Sequence, residues 1–237
     1  MSALLRAGAT VGAVAVGATW GPALTSLAPL RRSLLPGLAG ISDKPHIALT
    51  YDDGPDPAST PHFLTLLEQY GRRATFFVLG AYVEKNAGLV REMSQRGHEL
   101  AVHGWDHRCL VRKRPGVLTD ELRRTAGVVE ELTERPVRWF RPAYGVLTTE
   151  GLLAARSTAL RTVLWSAWGR DWTSSATASS VQRTVTDRLA LGGTVLLHDT
   201  DRTSSPGSWR HTLAASRALL DDWSRRGVAV GPLVDHW

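Results

Sequence analysis

Short apolar, β-rich runs alternate with helical patterns about seven times from His46 to the C-terminus, and this rhythm narrows the fold more than any other feature. "HIALTY", His46–Tyr51, reads as a strand bounded by turn residues. "STPHFLTLLEQYG" follows with helical spacing, Ser59 or Thr60 as N-cap, Pro61 early in the helix and Gly71 as its stop. "ATFFVLG", "HELAVHG", "VRWFRPAYG", "LRTVLWSAWG", "GGTVLLHDT" and "VAVGPL" continue the series, with helical stretches such as "TDELRRTAGVVEELTE" and "SWRHTLAASRALLDDWSRRG" among them. Strands separated by helices are joined by crossovers, which make the strands parallel. The expected fold is therefore α/β: one barrel-like domain of about seven parallel strands with surrounding helices. An open doubly wound sheet is the alternative, but no G-x-G-x-x-G follows the first strand.

The 237 residues suffice for one large domain with a substantial core. Residues 43–237 are read as that catalytic domain, and residues 1–42 as an apolar N-terminal segment and a linker, "RRSLLPGLAGISDKP". No charge occurs between Arg6 and Arg31, so residues 7–30 are long enough to cross a bilayer, although rich in Gly and Ala and broken by Pro22 and Pro29. An uncleaved membrane anchor is the first reading; a signal peptide or a helix packed on the domain are the others. The corresponding location is membrane-associated or extracytoplasmic, with the cytoplasm as the alternative. The net charge of +6 suits an anionic surface. No helix-turn-helix, zinc-finger or RNA-binding pattern accompanies it, so no nucleic-acid partner is expected. A single cysteine, Cys109, excludes an internal disulfide and a CxxC zinc site. Nothing fixes the oligomeric state.

In parallel α/β folds, sites lie at the carboxyl ends of strands. Asp52 and Asp53 follow the first strand, His103 and His107 the third, Arg141 the fourth, Asp171 the fifth and His198 the sixth. Polar groups from five strand ends would converge on one face. Two histidines four residues apart can present both rings to one ion if the segment turns helically, although such pairs are more often structural. Adding a carboxylate from another strand end completes a set with open positions, as a catalytic zinc site requires; non-haem iron takes the same ligands. One of the adjacent acids can then bind metal while the other acts on water. His198 could equally be a buried structural histidine, Arg141 a surface arginine and Asp171 a helix cap. Nine tryptophans are many for this length. Trp139, Trp165, Trp168 and Trp172 lie near the strand ends, as core residues or as faces for sugar rings.

These residues, in this order, resemble the polysaccharide deacetylases, carbohydrate esterase family 4, from about His46 to the C-terminus, which implies a distorted (β/α) barrel of parallel strands and helices. "TYDDGP" is similar to T-F-D-D-G-P, "HGWDH" to H-[S/T]-x-x-H, "RPAYG" to R-P-P-Y-G, "GRDW" to the end of D-x-x-D-W, and "LLH" to L-x-H. The resemblance implies Asp52 as general base, and Asp53, His103 and His107 as ligands of one divalent ion. Zn2+ is the first choice, with Co2+ or another transition metal as alternatives. It further implies that Arg141 holds Asp52, that the Tyr144 amide aids the oxyanion and that Leu196 lines an acetyl pocket. Asp171 would orient His198, the general acid. Gly104, Trp168 and Ala143 depart from the pattern, replacing Ser/Thr, Asp and Pro, and Trp168 would reshape the substrate groove. The implied activity is metal-dependent removal of N-acetyl groups from an acetylated glycan, a peptidoglycan- or chitin-like N-acetylglucosamine polymer. An O-acetyl esterase and a catalytically silent glycan-binding protein are the rivals.

Overall fold

The computed structural model describes residues 21–114 and 116–237. Strands β1 (His46–Asp52), β2 (Thr75–Val78), β3 (Glu99–Val102), β4 (Trp139–Phe140), β5 (Arg161–Thr162), β6 (Ala167–Trp168) and β7 (Thr194–His198) curl into a half-barrel in the order β5-β4-β3-β2-β1-β7-β6. Every pairing is parallel, and a short β8 (Ala229–Gly231) adds to the start of β1. The helices among the described residues are α1 (Ala28–Leu34), α2 (Thr60–Gln69), α3 (Gly80–Val83), α4 (Ala87–Gln95), α5 (Val117–Thr133), α6 (Thr149–Ser157), α7 (Ala178–Thr186) and α8 (Ser208–Arg225). The barrel-like α/β domain of about seven parallel strands is thus the fold observed, as a curled half-barrel.

The period of two along each strand divides the core. Ile47, Leu49 and Tyr51 of β1, with Val195 and Leu197 of β7, face the helices and join the main apolar cluster. Ala48, Phe77 and Ala101 face inward with Trp139, Val163 and Leu233. At the carboxyl end the inward positions become polar. Thr50 and Asp52 continue the face of Ala48, and His198 continues that of Thr194 and Leu196. Strand register then sets Asp52 directly beside His198 across the β1–β7 pair.

The structure corrects two expectations and decides a third between its alternatives. "LRTVLWSAWG" is two strands, not one, with a break over residues 163–166. There Leu164 N–H donates to Leu38 O (2.8 Å) and Ser166 N–H to Thr194 O (3.0 Å). The stretch read as a linker is packed against the sheet, with Arg31 and Ala39 buried and Ser42 N–H bonded to Gly192 O (2.8 Å). Trp139 belongs to the inward apolar cluster, donating its indole N–H to Glu99 (2.8 Å), and takes no part in the cleft. Most of the uncharged run, residues 7–20, lies outside the described residues. Its remainder forms a 3-10 helix, Gly21–Ser26, and the start of α1. Among the described residues no helix is long and apolar enough to cross a membrane.

Candidate active site

A cleft of about 200 Å³ opens at the carboxyl ends of the strands. Asp52, His103, His107, Tyr144, Trp168, Leu196 and His198 line it, with Pro142, Gly145, Trp165, Trp172, Thr203 and Ser204. Arg141, Asp53 and Asp171 lie directly behind this lining, each buried. All ten residues picked from the sequence therefore meet in one place.

Asp53 leaves β1 with φ of 80° and its backbone N–H on Phe77 O (3.2 Å). This left-handed turn sends the second acid away from the first. Asp53 Oδ1 lies 3.2 Å from His103 Nε2 and 3.2 Å from His107 Nε2. The three donors fall within 4.8 Å of one another, and Asp53 Oδ1 is buried without a hydrogen-bond partner. A carboxylate oxygen left thus between two imidazole nitrogens fits a cation, and the donor set suits zinc. His103 Nδ1 contacts Arg141 O (2.8 Å), which fixes the ring and leaves Nε2 toward Asp53.

The histidines do not lie on a helical turn, contrary to the expectation. Gly104 (φ 95°) and His107 (φ 60°) turn the chain through left-handed conformations. The departure at Gly104 has its reason here: a side chain would meet nothing within 4 Å, but the backbone conformation itself disfavours one. Backbone bonds steady the turn instead, with Gly104 O accepting from Gly80 N–H (3.0 Å).

Arg141 and Asp52 form a buried ion pair, Nη1 to Oδ1 at 2.7 Å. The same Nη1 donates to Thr50 Oγ1 (2.8 Å), and Nη2 donates to Leu164 O (2.9 Å). Asp52 Oδ2 is left toward the cleft, 3.7 Å from His103 Nε2. On the other side, Asp171 receives His198 Nδ1–H (3.0 Å), the His198 backbone N–H (2.8 Å) and the Thr212 hydroxyl (2.9 Å). Asp171 is thus the imidazole's anchor and not a helix cap. Burial disfavours charged His198, but Asp171 above all, then Asp53 and Asp52, outweigh it and push the ring up to about 10. Burial likewise opposes the His103 proton, yet Asp52 and Asp53 hold this ring above the ordinary histidine value. His107 is pulled down to about 4, chiefly by burial.

Trp168 stacks on Trp165 (5.7 Å between centroids) and meets Trp172 (5.1 Å), while Leu196 packs with Trp165. The departure at Trp168 thus supplies the middle of an aromatic wall. Tyr144 stands on the opposite rim at φ 61°, 62% exposed and against the His107 ring (4.7 Å).

The loop after β7 was missed by sequence reasoning. Thr203 donates its hydroxyl to Asp53 Oδ2, and Arg202 reaches Asp53 O (3.4 Å) and Pro55 O (3.2 Å). Asp199, next to the singled-out His198, is buried beneath the turn, accepts from the Thr60 hydroxyl and is pushed by burial up to about 7. The available signal was the polar, Gly- and Ser-containing run "DTDRTSSPG" directly beyond a strand end.

The parallel half-barrel thus gathers acids, histidines and aromatic faces at its strand ends. Residues 39–163 match the family model for polysaccharide deacetylase. The chain is 34% identical over 207 residues to a chitooligosaccharide deacetylase of Bradyrhizobium sp., covering 81% of this chain and 91% of that one. It is also 34% identical over 184 residues to a peptidoglycan-N-acetylglucosamine deacetylase of Bacillus cereus (76% and 83% covered). The crystal structure of the Bc1960 peptidoglycan N-acetylglucosamine deacetylase superposes with a TM-score of 0.76 at 26% identity, over 84% of this chain and 90% of that one. The chain belongs to the polysaccharide deacetylase family, carbohydrate esterase family 4, and is a polysaccharide deacetylase.

Proposed function

We propose that this enzyme removes N-acetyl groups from a peptidoglycan- or chitin-like N-acetylglucosamine polymer, with Asp52 as general base and His198 as general acid. The supporting observation is the pair of oppositely anchored groups around one donor cluster. Asp52 is held by Arg141 and lies 3.7 Å from His103; His198 is held by Asp171 and lies 4.0 Å from Asp53.

Asp53, His103 and His107 would hold one divalent ion, most suitably zinc, which when bound polarises an acetyl carbonyl and acidifies a water. Asp52 Oδ2 takes the water's proton as its oxygen adds to the acetyl carbon. The Tyr144 backbone amide stabilises the developing oxyanion, a contribution of about 3 kcal/mol for a well-placed donor. His198 Nε2–H protonates the departing nitrogen as the C–N bond breaks, leaving acetate and a free amine. Leu196 and Trp165 enclose the acetyl methyl, while the Trp168 wall and the Tyr144 rim offer faces to the sugars. Acetate release from N-acetylglucosamine oligomers, peptidoglycan and matched O-acetylated glycans tests the assignment. The expected order is N-acetyl substrates first; turnover confined to the esters would make the enzyme an O-acetyl esterase.

The catalytic machinery is assigned to residues 43–237, and residues 7–30 to membrane association on the extracytoplasmic side, where cell-wall glycans lie. The uncharged run and the net charge of +6 support that placement. Fractionation of cells producing the full chain should recover it with membranes and release it when residues 1–20 are removed. A full chain found wholly in the soluble fraction would refute the anchor.

A further inference from the structure

Arg31 is a buried cation, 1% exposed, that forms no ion pair among the described residues. Burial and the neighbouring Arg141 pull its guanidinium down to about 10. A buried charge without a counterion is unfavourable unless its donors are used. Nη1 donates to Thr25 O (2.6 Å), closing the 3-10 helix Gly21–Ser26. That helix-end contact alone would need only a surface arginine. Nη2 instead reaches Trp165 O (2.9 Å), 134 residues away, with the guanidinium 5.2 Å from the Trp165 ring.

Residues 163–166 fill the break between β5 and β6, held to the flanking strands at the ends alone, by Val163 N–H on Phe140 O (3.0 Å) and Ser166 N–H on Thr194 O (3.0 Å). They are gripped from both sides. From outside come Arg31 and Leu38, whose carbonyl takes the Leu164 N–H (2.8 Å). On the cleft side Arg141 sits 5.9 Å from the Trp165 ring and donates to Leu164 O (2.9 Å) and Val163 O (3.4 Å). The Trp165 ring also supports the Tyr144 turn so tightly that a Cβ on Gly145 would lie 2.5 Å from it. One indole thus links Arg31 to the Arg141–Asp52 pair, the oxyanion-side turn and the acetyl pocket.

We propose that Arg31, with the segment Gly21–Ser42, is a positioning element of the active site, acting through Trp165 on Arg141 and the pocket wall. The proposal rests on the catalytic assignment above, but its structural arm does not. Arg31 and the carbonyl it closes precede residue 39, where the family match begins.

The experiment uses the full chain with Arg31→Met and Arg31→Lys, each alone and with Arg141→Ala. Metal content, melting temperature, kcat on an N-acetyl glycan and amide hydrogen exchange over residues 139–168 are measured well below the melting transition. Misplacement of reacting groups by about 1 Å can cost roughly 10²-fold, so Arg31→Met should lower kcat by about 10- to 10²-fold with metal still stoichiometric. Arg31→Lys, keeping the charge and one donor, should recover part of it. In the Arg141→Ala background the further loss should shrink to under about threefold, because the two changes act through one unit. Exchange at 163–166 should rise in Arg31→Met whether or not wild type releases acetate, which separates this proposal from the catalytic one. Equal kcat losses in both backgrounds, or unchanged exchange with only a lower melting temperature, would reduce Arg31 to a structural residue. If Arg31→Met does not fold, the same comparisons on Arg31→Lys decide.

Discussion

Replacing His103 by alanine is expected to remove the bound metal and, with it, activity. The three donors share a single focus at Asp53 Oδ1, so loss of one imidazole leaves a carboxylate and one ring, too few for a tight catalytic site. Disturbing even the outer partners of metal ligands costs about 10–10² in affinity or activity, so direct ligand loss should exceed that range. A second readout follows from the two rings' opposite shifts. His107, pulled down to about 4 by burial, is already neutral at pH 6.5. His103 resists burial through Asp52 and Asp53 and keeps its proton to higher pH than an ordinary histidine. Zinc added to metal-free wild type at mildly acidic pH should therefore displace a proton from His103, and this release should be absent in His103→Ala. Metal analysis and titration in dilute buffer check both points. Stoichiometric metal in His103→Ala would overturn the ligand set.

Much of this site was legible because parallel strands end abruptly in polar residues. In β1 the apolar run stops at Tyr51 and the acids follow; in β7 it stops at Leu197 and His198 follows. Alternation along a strand also carries each residue's face, so the inward placement of Asp52 and His198 follows from period two. Other features lacked any local trace. The turn at His103–His107 depends on left-handed residues, whereas spacing alone suggested a helix. The break at residues 163–166 carries no turn residue beyond Ser166, and contacts from Arg31, Leu38 and Arg141 hold it. Thr203 meets Asp53 across 150 residues of chain, from a loop with no periodicity to place it. The tryptophans show the limit most plainly. Trp139 and Trp165 flank similar strand ends, yet one faces the inner core and the other the cleft. Composition could not separate those fates, because both rings are buried and each serves as apolar bulk.

Asp52→Asn is expected to keep metal and fold while losing about 10²–10⁴ in kcat, the usual cost of a missing general base. The geometry separates the two functions of this carboxylate. Oδ1 is taken by Arg141, and an asparagine oxygen can still accept that bond; Oδ2 faces the cleft, and an amide nitrogen there cannot take a proton. The metal donors belong to Asp53, so metal content should not change. His198→Ala should cost a similar factor on N-acetyl glycans but much less on an activated acetyl ester, whose leaving group needs no proton. Asp171→Asn provides the test of sign. Asp171 is the largest contributor holding the His198 proton against burial, so its neutralisation lowers the His198 value from about 10. The acid form is then lost at lower pH, and the alkaline limb of the kcat profile should move down in pH while the acidic limb stays in place. The measurement is acetate release against pH for wild type and the three variants, on both substrates, with metal quantified in each. An alkaline limb unmoved in Asp171→Asn, or equal losses for His198→Ala on amide and activated ester, would remove His198 from the role of proton donor.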